Sequence, residues 1–133
     1  MHSKFTLLVI ENEELALQPL GTMAARLGHY VIRSEGSELP IVMMNAWQEY
    51  IQAVVLDWTI SCVIYGGDLV RALHQVSPDV PFIIASGYGE NIVRPLLPKG
   101  PRFQFIIKPF LSFEFENALR LSAPAPLLRS QSA

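Results

Sequence analysis

Ala53-Val54-Val55-Leu56-Asp57 is the stretch on which the fold turns: four small or branched apolar residues, then at once a carboxylate. A short, continuous apolar run rich in β-branched residues reads as a strand buried on both faces, and Asp57 closes it before a loop. The same arrangement recurs three times. Val9-Ile10 runs into Glu11-Asn12-Glu13, Phe82-Ile83-Ile84-Ala85 into Ser86-Gly87, and Phe105-Ile106-Ile107 into Lys108-Pro109-Phe110. In an open parallel sheet, ligands and chemistry gather outside the carboxyl ends of the strands. Acid, acid, hydroxyl and lysine are therefore expected to converge on one pocket.

Between these runs the apolar spacing becomes helical. Lys4 to Ile10 is the first strand, and Glu13 to Leu27 carries apolar residues at 16, 20, 23, 24 and 27 before Gly28 stops the pattern. Pro19 and Gly21 lie inside that helix, so a kink or weak first turns are expected. Tyr30 to Ile32 is a second strand and Pro40 to Tyr50 a second helix, with Pro40 suited to the first turn. Ile51 to Asp57, Val80 to Ala85 and Phe103 to Ile107 complete the strands. Tyr65 to Val76 is the third helix, and Gly66-Gly67 reads as a turn leading into it. A last helix begins near Ser112, read as its N-cap, with Phe115, Ala118 and Leu119 inward. Five alternations of strand and helix predict an α/β fold, a doubly wound five-stranded parallel sheet of the flavodoxin-like kind. The fourth helix is expected to be short or irregular. Pro95, Pro98 and Pro101 leave room for one or two turns around Glu90 to Arg94, in a segment (88 to 102) expected to be the most mobile of the domain.

Composition narrows the class. With 133 residues the chain is long enough for one domain with a sizeable core. Half of it is hydrophobic and 17% charged, which excludes general disorder. A net charge of -2 and a pI near 5.9 provide no basic face for nucleic acid. No apolar stretch approaches the ~20 residues of a membrane span, and the first strand begins too early for a signal peptide. Cys62 is a single cysteine, compatible with a reducing compartment. These readings predict a soluble, cytoplasmic domain over 1–122 and a disordered tail over 123–133, where Ala-Pro-Ala-Pro begins. His2, His29 and His74 lack metal-ligand spacing and are assigned ordinary surface roles; Phe113 is assigned either peripheral packing or a partner contact.

The four strand ends together, in this order, resemble the receiver domain of two-component response regulators. The resemblance covers about residues 4 to 121. It is nearest to stand-alone receivers of alpha-proteobacteria, whose fourth strand enters a Phe-Ala-Thr-Gly-Tyr-like turn; here the turn is Ile84-Ala85-Ser86-Gly87-Tyr88. It implies that Asp57 accepts a phosphoryl group from a phosphohistidine of a sensor kinase. A carboxylate is a competent nucleophile toward phosphorus, provided that cations balance the charge on the phosphoryl oxygens. By the same resemblance Mg²⁺ is held by Glu11, Asn12, Asp57 and the backbone carbonyl of Thr59. Ser86 then hydrogen-bonds the phosphoryl group, Lys108 pairs with its charge, and Phe105 is the aromatic switch, without the hydroxyl of the tyrosine often found there. Family members usually carry two acids at positions 11 and 12. Asn12 keeps an oxygen but removes a charge, so weak Mg²⁺ binding is expected. The Lys108-Pro109 peptide is expected to be cis, as in the family.

The residues also admit plainer readings. Asp57 alone could cap a loop, Ser86-Gly87 could be a turn, and Glu11 to Glu13 could be the acidic start of a helix; only their combination points to a phosphoacceptor. The leading reading is a single-domain response regulator, not a dedicated enzyme. Its partners are a sensor histidine kinase and a phosphotransfer or target protein, with neither nucleic acid nor membrane, and its oligomeric state is open. The alternative is a pseudo-receiver, a binding module working without phosphate because of the altered pair Glu11/Asn12. A phosphohydrolase with an aspartate nucleophile wants a general acid two residues on, where this chain has Thr59. A flavodoxin-like cofactor binder wants a phosphate loop where Glu11-Asn12-Glu13 would repel one.

Overall fold

The computed structural model describes residues 4–11, 20–35, 38–59 and 62–122. Five strands, β1 (Thr6–Ile10), β2 (Tyr30–Ser34), β3 (Ala53–Trp58), β4 (Phe82–Ser86) and β5 (Phe103–Ile107), form one sheet in the order β2-β1-β3-β4-β5. Every pairing is parallel. This is the flavodoxin-like order, and its topological switch point lies between β1 and β3. Glu11 and Asp57 stand at the carboxyl ends of those two strands.

The strands are apolar along their length because both faces are covered. On one face Leu8, Val54, Leu56 and Trp58 pack with α2 (Leu39–Trp47) and α3 (Cys62–Val76), through Met44, Leu69 and Leu73. On the other, Leu7, Val9 and Val55 pack with α1 (Leu20–Arg26) and α5 (Ser112–Ser122), through Ala24, Phe115 and Leu119. Side chains alternate between faces with period two, so Asp57 shares the face of Ala53 and Val55.

Several boundaries differ from the sequence reading. Strand β3 runs one residue past Asp57, because Trp58 is itself a core residue with 1% exposure and pairs with Ser86. Helix α3 begins at Cys62, so Gly66-Gly67 lies inside it and not in a turn before it. A Cβ on Gly67 would stand 2.5 Å from the Leu96 carbonyl oxygen, closer than real contacts allow. Glycine there lets the segment after β4 lie directly on α3. That segment holds one helical turn, α4 (Glu90–Val93), followed by a 3-10 turn over Arg94–Leu96, as its prolines dictate. Val93 and Leu97 pin it to the core.

At the start of α5 the cap is Leu111, not Ser112. The Leu111 carbonyl accepts from the N–H groups of Glu114 and Phe115, while Glu114 Oε1 accepts the Leu111 N–H at 2.9 Å, the backward half of a capping box. His29 is not at the surface. Its Nδ1 accepts the Phe5 N–H at 3.1 Å, which leaves the ring proton on Nε2, and Nε2 donates to Glu116 Oε1 at 2.5 Å. The buried imidazole thus ties the starts of β1 and β2 to α5. The expected start of the first helix (Glu13 to Pro19) and the tail 123–133 lie outside the described residues.

Candidate functional site

Asp57, Ser86 and Lys108 stand where β3, β4 and β5 end. Asp57 is 4% exposed. Register places it opposite Ala85, Trp58 opposite Ser86, and Ser86 opposite Ile107. Lys108 follows directly, its N–H donating to the Ser86 carbonyl at 2.7 Å. From there its side chain crosses the end of β4, and Nζ donates to Asp57 Oδ1 at 2.5 Å. The Lys108-Pro109 peptide is cis. A carboxylate this deeply buried needs a charged or hydrogen-bonding partner, and Lys108 is one.

Ser86 is buried, and its Oγ accepts the Tyr88 N–H at 2.9 Å. This bond shapes the turn at Gly87 and leaves the hydroxyl proton available to another acceptor. The arrangement is therefore a buried carboxylate with an ammonium on it and a hydroxyl on the adjacent strand end.

No family model matches the chain. The sensor kinase CckA of Brucella abortus is 30% identical over 106 residues, 79% of this chain but 11% of that protein, so the chain spans about a tenth of its curated relative. Among solved structures, a response regulator receiver domain protein from Clostridium thermocellum superposes with TM-score 0.74 at 20% identity, covering 95% of this chain and 96% of that one. The CheX–CheY–BeF3–Mg complex from Borrelia burgdorferi gives TM-score 0.72 at 19% identity, covering 88% and 87%. The fold is that of a response-regulator receiver domain.

In this receiver fold the remaining residues singled out from the sequence are placed as follows. Glu11 stands at the end of β1, yet its carboxylate is turned to α1. Oε1 accepts the Leu20 N–H at 2.5 Å and Oε2 the Gly21 N–H at 3.4 Å, with Arg33 Nη1 4.0 Å from Oε2. Glu11 thus caps the unsatisfied N–H groups at a helix start. Asn12 and Glu13 lie outside the described residues. Thr59 follows β3, half-buried.

Phe105 is half-buried on the α3 side, with the Arg94 guanidinium 4.8 Å from its ring centre and Phe103 at 6.0 Å. Arg94 is held in turn by Glu90 at 2.8 Å. This link from β5 to α4 is absent from the sequence reading, although the i,i+4 spacing of Glu90 and Arg94 was a legible signal for half of it.

Oxygen donors of the class Mg²⁺ takes are present in the Asp57 carboxylate and the Thr59 carbonyl. Glu11 as folded is committed to α1. Among the described residues no group of three or more His, Cys, Asp or Glu side chains is gathered for a metal. Mg²⁺ is held by few protein oxygens because it keeps much of its water shell.

Proposed function

We propose that this chain is a response regulator that receives a phosphoryl group on Asp57 from a phosphohistidine of a sensor histidine kinase. The observation that carries the reading is the Asp57–Lys108 contact across the end of β4, with Ser86 beside it. An Asp57 carboxylate oxygen attacks phosphorus, the P–N bond to the histidine breaks, and the electron pair leaves with the imidazole. Lys108 holds the nucleophile in place before the transfer and meets the phosphoryl charge after it. Ser86 donates its hydroxyl proton to a phosphoryl oxygen. Mg²⁺, held by Asp57 and the Thr59 carbonyl, would supply further positive charge to those oxygens when bound.

The product remains on the protein, so the chain is a phosphoacceptor and not a dedicated enzyme. The signal is a changed set of protein contacts. Phe105, joined through Arg94 to α4, is the group through which the site would reach the surface. Similarity to a sensor kinase supports a place in two-component signalling; on this reading the partners are a kinase and a phosphotransfer or target protein, in the cytoplasm. No helix among the described residues is long and apolar enough to cross a membrane.

Intact mass after treatment with a small phosphodonor and Mg²⁺ tests the proposal. Wild type gains one phosphoryl group and Asp57→Ala none. Equal labelling of both, or of neither, refutes it and selects a binding module that switches without phosphate.

A further inference from the structure

Helix α2 is apolar on both sides. Pro40 and Met44 are buried toward the sheet, with Ile41 and Met43 beside them. Leu39, Val42, Ala46 and Tyr50 recur at helical spacing on the opposite side, where Leu39 is 41%, Val42 60% and Tyr50 60% exposed, and Trp47 beside them 47%. A helix apolar all round is ordinarily buried all round. The outer stripe is also built: Tyr50 lies in a turn held by its N–H to the Trp47 carbonyl at 2.8 Å, and the two rings sit 6.0 Å apart.

Charge defines what can cover it. Glu35 and Glu38 stand before α2 and Glu49 after it, all exposed and none in an ion pair among the described residues. Between Arg33 and Arg71 the chain has no Lys, Arg or His at all. A second copy docked by a twofold axis would bring the same acids face to face, and an anionic lipid surface would be repelled.

We infer that the outer face of α2 is a docking surface for a cationic amphipathic helix of a partner protein. The apolar stripe of that helix covers Val42, Trp47 and Tyr50, and its Lys or Arg residues meet Glu35, Glu38 and Glu49. Exposed aromatic anchors with a charged rim are the composition of an energetic hot spot, and helix against helix is a recurrent recognition mode.

The test uses the whole chain and two synthetic helices of about 18 residues, five turns, with one Leu stripe and either Lys or Glu at every polar position. Trp47 lies on this face, so a change in tryptophan emission on adding a helix, lost in Trp47→Phe, reports docking there. The Leu/Lys helix should bind saturably and the Leu/Glu helix should not. Val42→Ser, and Glu38→Lys with Glu49→Lys, should each weaken binding about tenfold, whereas Asp79→Lys, at an exposed acid in the turn before β4 and off the stripe, should leave it unchanged. All these sites are exposed, and circular dichroism checks the fold of each variant. Equal binding of both helices, wild-type affinity in Val42→Ser, or equal losses from Asp79→Lys and the Glu38/Glu49 pair would overturn the inference. So would a wild-type dimer in sedimentation that Val42→Ser dissociates, since the occupant would then be a second copy.

Discussion

Deleting either partner of the Asp57–Lys108 pair should have very unequal consequences. At 2.5 Å and an effective dielectric near 20, the gross attraction is about 7 kcal/mol, most of it offset by the desolvation of a buried carboxylate. The side chain of Lys108 is 35% exposed and that of Asp57 only 6%. In Asp57→Asn the ammonium is therefore still reached by water and keeps an amide oxygen to bond, and stability should change by within about 1 kcal/mol. In Lys108→Met the carboxylate loses its ammonium where water barely reaches, a loss of about 3 kcal/mol and roughly 10 °C in Tm. The double variant Asp57→Asn/Lys108→Met removes the buried charge as well and should recover most of that loss. Urea unfolding of the four proteins measures all three differences. If Asp57→Asn costs as much as Lys108→Met, or the double variant is no more stable than Lys108→Met, the pair is not the buried contact described and the reasoning fails.

Gly67→Ala should destabilise by about 1–2 kcal/mol, because overpacking against the Leu96 carbonyl exceeds the ~1 kcal/mol gain in helix propensity. Gly89→Ala, whose Cβ meets nothing within 4 Å, should be neutral or stabilising by less than about 1 kcal/mol; amide exchange should show residues 90 to 97 opening more readily in Gly67→Ala alone. His29→Leu should lower stability by about 2–3 kcal/mol in urea unfolding, since the Phe5 N–H loses its buried acceptor and Glu116 its donor. Asn12→Asp should tighten Mg²⁺ about tenfold in a titration followed by Trp58 emission, because a charged oxygen replaces a neutral one; an unchanged affinity would show that residue 12 does not contact the ion.

The strands and their order of appearance were legible because parallel strands covered on both faces must be apolar throughout, and that pattern is local. For the same reason the ends of those runs marked where Asp57, Ser86 and Lys108 would stand, and the prolines at 95 and 98 limited α4 to one or two turns. What each polar side chain then does was decided only in three dimensions. Glu11 meets the backbone of residues nine and ten positions away at the start of α1, a choice between a helix cap and the strand-end pocket that no spacing rule encodes. His29 is buried because β1 and α5, 24 and 87 residues away from it in sequence, close over it with one acceptor and one donor partner. Gly67 is needed because a carbonyl from a distant turn lies on α3, and Arg94 reaches Phe105 only once α4 is pinned beside β5. Periodicity reports which face a residue takes, since burial repeats with the geometry of the element. Partnership among polar groups depends on which elements the topology brings together, and that is a property of the folded chain.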